Sequence, residues 1–514
     1  MKGLTKLHHL IHSLSKTEKR YIFIELSKQK SLKGKIDLKL FNLLKKQETL
    51  DEDTVLAVSE FNTTQKIVIR SNYLFDFILR CLIDYNYSRE IEIAIGNHIR
   101  IIKNFILKGL HQYTHFYFKK AQKLAEKYED LYRIGILCTL KKIVINQSSA
   151  SHTDFFREIQ KIEEQETLVH EKIINLNAYN NHLNHLTAAL KKNSSSHLDK
   201  ETLTILKDII TSPLFSKEKN ALTKKAKVVF HQIHAIYHEH ATHDYMQALQ
   251  HTEKQIELIK NLESYQKADS PLYITSLKNY CIYAAESHEF DKANETLRDL
   301  KNMYEEKSSS QNLFEKSLVF KNYIEAETRL SIIDSEVQRF ASTQSDIESG
   351  IDSFGNMFDS ESKMVLYSMV AMRLIVIHEY KKAFRWLEKI FHEHQGMRLD
   401  ILHHAHILSL ICIFEIESVN LFQSRVRSYL RHYQQEKNMF PLQVKIIHSL
   451  SAIFQHSNDI AFQKTHLKEL KTFILQAGKE REIDMLLSEV LLAWINAKLN
   501  RPISGFRQNI SPKS

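Results

Sequence analysis

Only ten glycines and five prolines occur in 514 residues. Average usage would supply roughly 7% Gly and 5% Pro, several times more of each. Gly lets a chain enter left-handed turns and lets backbone approach phosphates closely, and Pro punctuates loops. A chain poor in both, yet 43% hydrophobic, has little with which to turn the corners of a sheet. It predicts an all-α fold of long helices joined by short polar turns. The same scarcity removes phosphate cradles. No G-x-G-x-x-G or G-x-x-x-x-G-K-[ST] occurs, and Gly34-Lys35 and Gly478-Lys479 stand isolated. No G-x-S-x-G elbow occurs either. No cofactor is expected, and no catalytic or cofactor-binding residue is assigned.

Charged residues make up 26%, which with the ordinary apolar fraction excludes disorder for the bulk of the chain. No run of 18 apolar residues occurs, so no spanning helix and no membrane partner are expected. The first ten residues lack an apolar core and a small-residue cleavage site, which argues against a secretory signal. Cys81, Cys138, Cys281 and Cys412 lie far apart and read as reduced, buried thiols. A cytoplasmic location follows from these readings.

The net charge of +10 is unevenly placed. Residues 1–50 hold twelve Lys and Arg against four acids, leaving +8, and 498–514 add +4 with no acid. The 447 residues between sum to −2. Attraction for polyanions is therefore confined to the ends.

Helical period recurs along the chain. Leu277, Tyr280, Cys281, Ala284 and Ala285 form one apolar stripe, and Phe290, Ala293, Leu297, Leu300 and Tyr304 form another directly after it. The polar triplet Ser287-His288-Glu289 between them predicts a helical hairpin. An aromatic followed three residues later by Ala recurs at Tyr245/Ala248, Phe290/Ala293 and Tyr380/Ala383, spaced by 45 and then 90 residues. Phe118/Ala121 reads as an out-of-phase copy. Ala lets paired helices approach closely, and the aromatic wedges into the preceding helix. His288-Glu289-Phe290-Asp291-Lys292-Ala293 and His378-Glu379-Tyr380-Lys381-Lys382-Ala383 resemble the Gly-Asp-Tyr-x-x-Ala joint of tetratricopeptide repeats, with His in place of Gly. The family's Trp, first Gly and closing Pro are missing, and the period exceeds its 34 residues. The resemblance, over roughly 230–400, implies a degenerate, right-handed stack of helical hairpins. It also implies a concave groove that binds a protein or peptide partner.

Domain organisation reads as a basic helical head at 1–60, a helical array at 61–340 and an acidic, Ser-rich linker or loop at 341–362. A second array at 363–497 and a basic flexible tail at 498–514 follow. Serine clusters at 148–151, 194–196 and 308–310 mark helix boundaries. Within the head, Ser15-Lys16-Thr17-Glu18 reads as a capping box. It opens a helix with Tyr21, Ile24 and Leu26 partly inward. Leu38, Phe41 and Leu44 mark a second helix, and a third falls near 55–61. A longer one runs over 64–85 with Ile67, Leu74, Phe77, Ile78 and Cys81 on one face. The string from Leu14 to Tyr21 resembles the opening of bacterial helical-repeat proteins of unassigned function.

Histidine is over-used, with 28 in all. The densest group is His231, His234, His238, His240 and His243. His231, His234 and His238 share a helix face, an arrangement that binds zinc or copper when another element supplies a further ligand. With no such ligand legible, and with Phe230 and Tyr237 alongside, the group reads as aromatic-rich packing and no metal residue is assigned. Arg373/His378, Arg398/His403 and Arg427/His432 match the Arg-x4-His spacing of all-helical HEPN-type ribonucleases. The expectation is a non-enzymatic interaction scaffold. The alternatives are a nucleic-acid-associated regulator, using head cations interleaved with Tyr21, Phe23 and Phe41, or a HEPN-like ribonuclease.

Overall fold

The computed structural model describes residues 2–47, 50–58, 64–86, 91–147, 152–192, 200–262, 271–308, 313–334, 344–393, 398–416, 418–435, 441–456, 459–479 and 485–500. Among the described residues there are 23 α-helices and no strand. Serines 148–151, 194–196 and 309–310 lie outside them, as does the chain after residue 500.

The head contains α1 (Lys2–Ser13), α2 (Lys16–Ser27), α3 (Leu32–Lys46), α4 (Glu52–Val58) and α5 (Thr64–Asn86). The capping box is present. The Glu18 amide donates to Ser15 Oγ at 3.2 Å, and the Ser15 amide donates to Glu18 Oε2 at 2.7 Å. Leu26 is buried and Tyr21 packs partly buried against the same core as expected, but Ile24 is exposed and Ile22 takes its inward place. Ile67, Leu74, Ile78 and Cys81 of α5 share one core with Leu4, Leu7, Phe41 and Leu44. The head core thus reaches beyond residue 60, because α1 and α2 need the apolar face of α5 to cover their own.

Next come α6 (Ile91–Leu107), α7 (Thr114–Lys127), α8 (Leu131–Asn146) and α9 (His152–Lys192), then α10 (Lys200–Thr211) and α11 (Lys224–Tyr237). At 41 residues α9 is roughly 60 Å long. It belongs to two cores in turn. Ile162 and Val169 pack with α6–α8, and Tyr179 and Leu186 pack with α10 and α11. The Tyr179 hydroxyl donates to the Leu214 carbonyl at 2.6 Å, which fixes the changeover.

The remaining helices share one core running from Ala235 to Ile495. They are α12 (Tyr245–Lys260), α13 (Pro271–Glu286), α14 (Phe290–Ser308), α15 (Leu313–Ile333), α16 (Gln344–Phe354), α17 (Ser360–Val376) and α18 (Tyr380–Glu393), followed by α19 (Leu399–Ile416), α20 (Val419–Gln435), α21 (Pro441–Gln455), α22 (Ile460–Lys479) and α23 (Met485–Asn500). From α13 to α19 each odd-numbered helix packs against the next odd one, while α14, α18 and α20 sit beside them. Ala121, Ala248, Ala293 and Ala383 are all fully buried. Close helix approach at the aromatic-x-x-Ala joints is therefore used at every copy.

Four helix ends close in the same way. Gly109, Glu129, His288 and His378 have φ of 69°, 47°, 60° and 65°. In each, the following amide donates five residues back, as in Glu289 to the Ala284 carbonyl at 2.8 Å and Glu379 to the Leu374 carbonyl at 2.8 Å. This is the Schellman stop, whose left-handed residue is usually Gly because a Cβ is strained there. Three of the four positions carry a side chain. His288→Gly is expected to stabilise the C-terminal core by about 0.5–1 kcal/mol, read as a raised denaturant midpoint. A lowered midpoint would show that the His288 ring, 5.7 Å from Phe290, contributes more than the strain costs.

Two expectations about loops are corrected. Segment 341–362 contains α16, whose Ile347, Ile351 and Phe354 are buried in the same core as the helices on either side. Its Ser and Asp residues face outward, and they masked an apolar stripe at i, i+4 and i+7. Gly350 lets α16 lie against α15, since a Cβ there would run into the Phe320 ring. Lys498 is not part of a tail either, because it lies in α23 and pairs with Glu415 at 2.8 Å.

All four cysteines are free and buried, and burial pushes the Cys281 thiol up to about 12. Among the described residues one helix, α19, is long and apolar enough to cross a membrane by length and composition. It is a core helix here, buried continuously from Ile401 to Ile413. α15, α17 and α19 are buried around their circumference, and α23 lies across the first two. These three helices therefore present no open groove.

Candidate metal centre

Thr223 caps α11, accepting from the Ala226 amide at 2.9 Å. The helix ends in one π turn at residues 238–242 before α12 begins. Several bonds hold this turn. The Asp244 amide donates to the His238 carbonyl at 2.9 Å, and the Tyr283 hydroxyl of α13 donates to Glu239. π turns are rare and are frequently found at functional sites.

The α11–α12 hairpin brings together His234 on α11, His238 at the opening of the π turn and His251 on α12. One nitrogen from each ring lies within 4.8 Å of the other two. His240 and His243, grouped with them by sequence, do not join. His231 is buried directly behind, 2% exposed. Its Nδ1 meets His251 Nδ1 at 3.0 Å, and its Nε2 faces Glu218 Oε2 at 3.5 Å.

Each of the three rings is held from outside by one nitrogen. His234 Nε2 donates to the Phe215 carbonyl at 3.1 Å. His238 Nδ1 lies 3.1 Å from Thr242 Oγ1. Because that hydroxyl gives its own proton to the His238 carbonyl at 3.3 Å, it accepts from the ring. At His251 the proton assignment follows from Glu218. A carboxylate accepts, so His231 Nε2 carries hydrogen, His231 Nδ1 accepts, and His251 Nδ1 donates. The unprotonated nitrogens are then His234 Nδ1, His238 Nε2 and His251 Nε2.

Burial keeps all four imidazoles neutral at pH 7. It pushes His231 down to about 4 against the opposing charge of Glu218. It pushes His251 down to about 3, with the neighbouring imidazoles and Lys254 adding to the effect. His234 and His238 are lowered chiefly by burial as well. Neutral imidazole is the form that ligates transition metals.

Aromatic packing is also present. Phe230 lies 4.3 Å from His234 and edge-on to His231, and Phe215 stacks on Phe230. The rings of His234 and His251 are stacked 4.7 Å apart within 7° of parallel. Their lone pairs therefore run in near-parallel planes. For both to meet one ion, a ring must turn about its Cβ–Cγ bond.

The sequence reading missed His251, Glu218 and Phe215. A signal for His251 was available, because it lies one turn after Ala248 on the face that Ala248 marks as touching the neighbouring helix. Nothing marked Glu218.

In the three Arg-x4-His pairs each Arg is engaged by other groups. Arg373 is fully buried and bound to Glu327 at 2.6 Å. Arg398 is held by Asp400 at 2.8 Å and Glu361 at 3.3 Å, and His403 is buried. Arg427 bonds its own helix at the Gln423 carbonyl, while His432 turns to the rings of His403 and His406. In the head, Phe41 is fully buried and has no face to offer a base. Phe23 is exposed.

No family model matches the chain, and no match is found among curated proteins or solved structures.

Proposed function

We propose that this chain is a non-enzymatic, cytosolic scaffold: a degenerate tetratricopeptide-like, right-handed stack of hairpins that binds a protein partner. The repeated left-handed stops, the buried alanines one turn into the following helices and the odd-to-odd packing support the architecture. Four buried free thiols support a reducing compartment.

The observation that carries the binding role is on α8. One side of this helix, Leu131, Ile134, Leu137 and Cys138, is buried. The opposite stripe is also apolar, with Tyr132 61%, Ile136 42% and Ile143 37% exposed. The Tyr132 hydroxyl reaches Asn177 on α9 at 3.4 Å. This contact places Ile174, one turn from Asn177 and 70% exposed, beside the stripe. Apolar surface gathered on one face marks an interaction site, whereas scattered exposed residues need no such explanation.

The test is affinity capture with the Ile136→Glu/Ile143→Glu variant. Both side chains are outside the core, so stability is expected to stay within about 0.5 kcal/mol. Capture of a specific partner by the wild type and not by the variant supports the reading. Equal capture by both removes α8 from it.

A second reading rests on the head, where ten Lys and Arg among residues 6–46 are exposed. Lys19 is lowered by burial and then by the nearby charge of Lys45, so the cations are crowded enough to repel one another. Binding of a single-stranded oligonucleotide that weakens steeply with salt, and weakens further in Lys16→Gln/Arg20→Gln/Lys45→Gln, would support nucleic-acid contact. Unchanged binding in that variant ends the reading. Deleting residues 1–50 is the poorer test, because it strips the cover from α5.

A further inference from the structure

We propose that His234, His238 and His251 bind one divalent transition-metal ion of the zinc class, with the Glu218–His231 pair holding His251 in its ligating tautomer. The ion staples α11 to α12 across the π turn.

The case rests on how the rings are held. A buried ring N–H takes an acceptor in any packing; what bears on a metal is that each tether occupies one nitrogen and leaves the other unprotonated, with the three rings gathered together. In metal sites the ligating His regularly donates its other N–H to a carbonyl, hydroxyl or carboxylate, fixing tautomer and orientation. That pattern is met three times with three different acceptors: the Phe215 carbonyl, Thr242 Oγ1 and His231. The third extends to a carboxylate, giving the order Glu218, His231, His251, metal. Lys227 lies 3.2 Å from Glu218 and keeps it ionised. The adverse charge is Lys254, which acts on both His231 and His251.

Distance and geometry set what binding must do. Ligands about 2.0–2.1 Å from a tetrahedral ion are about 3.4 Å apart, whereas the three nitrogens spread over as much as 4.8 Å. Closing that gap takes about 1.4 Å together with a ring rotation. Because the planes of His234 and His251 are parallel, one of these two rings must turn, and the π turn lets His238 follow it. Imidazole ligands without a carboxylate in the group select zinc, copper, nickel or cobalt over magnesium or calcium. Among the described residues no fourth His, Cys, Asp or Glu joins the group. The fourth position is left to water or to a group from outside the hairpin.

The test uses the full chain, stripped with a chelator and titrated with Zn(II) against a chromophoric competitor. With 28 histidines, weak background binding is expected, so the comparison is among variants. Wild type and His240→Gln should share one tight equivalent that His238→Gln and His251→Gln lack. Glu218→Gln should retain that equivalent with affinity reduced roughly 10–100-fold. Co(II) in place of zinc should give the intense visible bands of a tetrahedral site in wild type alone among wild type, His238→Gln and His251→Gln. Circular dichroism confirms that each variant is folded, and His238→Gln remains decisive if His251→Gln fails that check. Zinc binding in His238→Gln equal to wild type, or no tight equivalent in wild type, overturns the proposal.

Discussion

Arg373→Met is expected to destabilise the C-terminal core by about 3–5 kcal/mol, the cost of leaving a buried charge without its partner. Arg373 on α17 is fully buried, with Nη1 2.6 Å from Glu327 Oε2 and 3.4 Å from Thr328 Oγ1, both on α15. Glu327 also accepts from the Tyr323 hydroxyl at 3.2 Å. Burial first, and the Glu327 charge second, hold that phenol well above its ordinary range. The substitution keeps most of the side-chain volume and removes the cation, so a cavity contributes little. Glu327→Leu/Arg373→Met together should recover much of the loss, because an apolar pair of similar volume often replaces a buried ion pair at little net cost. Several cores in one long chain make two-state unfolding a poor assumption. The measurement is therefore hydrogen exchange, with protection in α15 and α17 expected to fall for the single variant and to return in the double one. A single variant within about 1 kcal/mol of wild type would mean that water or another group takes over the carboxylate. The same burial is why Arg373 has no access to a phosphodiester.

What was legible in the sequence was local. The hairpin at 271–308 was readable because its two stripes and its polar joint are contiguous. Its stop was readable as a joint from the Phe290-x-x-Ala293 spacing, although the residue that takes the left-handed turn is His288. Composition misled where it diluted a stripe: the Ser and Asp of 344–354 hid Ile347, Ile351 and Phe354, and Ile24 stood for Ile22. What was not legible is what distant segments bring together. Glu327 meets Arg373 across 46 positions, and Trp494 meets Glu415 across 79. Neither helix alone shows that its charge is satisfied. The histidine group stands between these cases: its α11 half follows helical period, and its α12 half depends on which face of α12 turns inward.

Trp494→Ala is expected to cost about 3–5 kcal/mol in the C-terminal core while leaving the core of α6–α8 untouched. Trp494 is among the largest fully enclosed side chains in the molecule. It stands edge-on to Phe414 of α19 at 5.8 Å, and its indole N–H donates to Glu415 Oε1 at 2.7 Å. Lys498, one turn further along α23, reaches the same oxygen at 2.8 Å and lies 5.0 Å above the Phe414 ring. One helix turn of α23 thus fastens it to α19, while Leu487, Val490 and Leu491 are buried in the core that α15 and α17 share. Trp494→Phe keeps a ring against Phe414 but removes the N–H and part of the indole volume, so its expected cost is about 1–3 kcal/mol. A cost below that of Trp494→Ala measures what the retained ring contributes. If α23 is the cover of the odd-numbered helices, Trp494→Ala should lower exchange protection in α15, α17 and α19 together. Loss of protection confined to α23 would mean that those helices stay closed without it. An equal loss in α6–α8 would mean that the separate cores unfold as one cooperative unit.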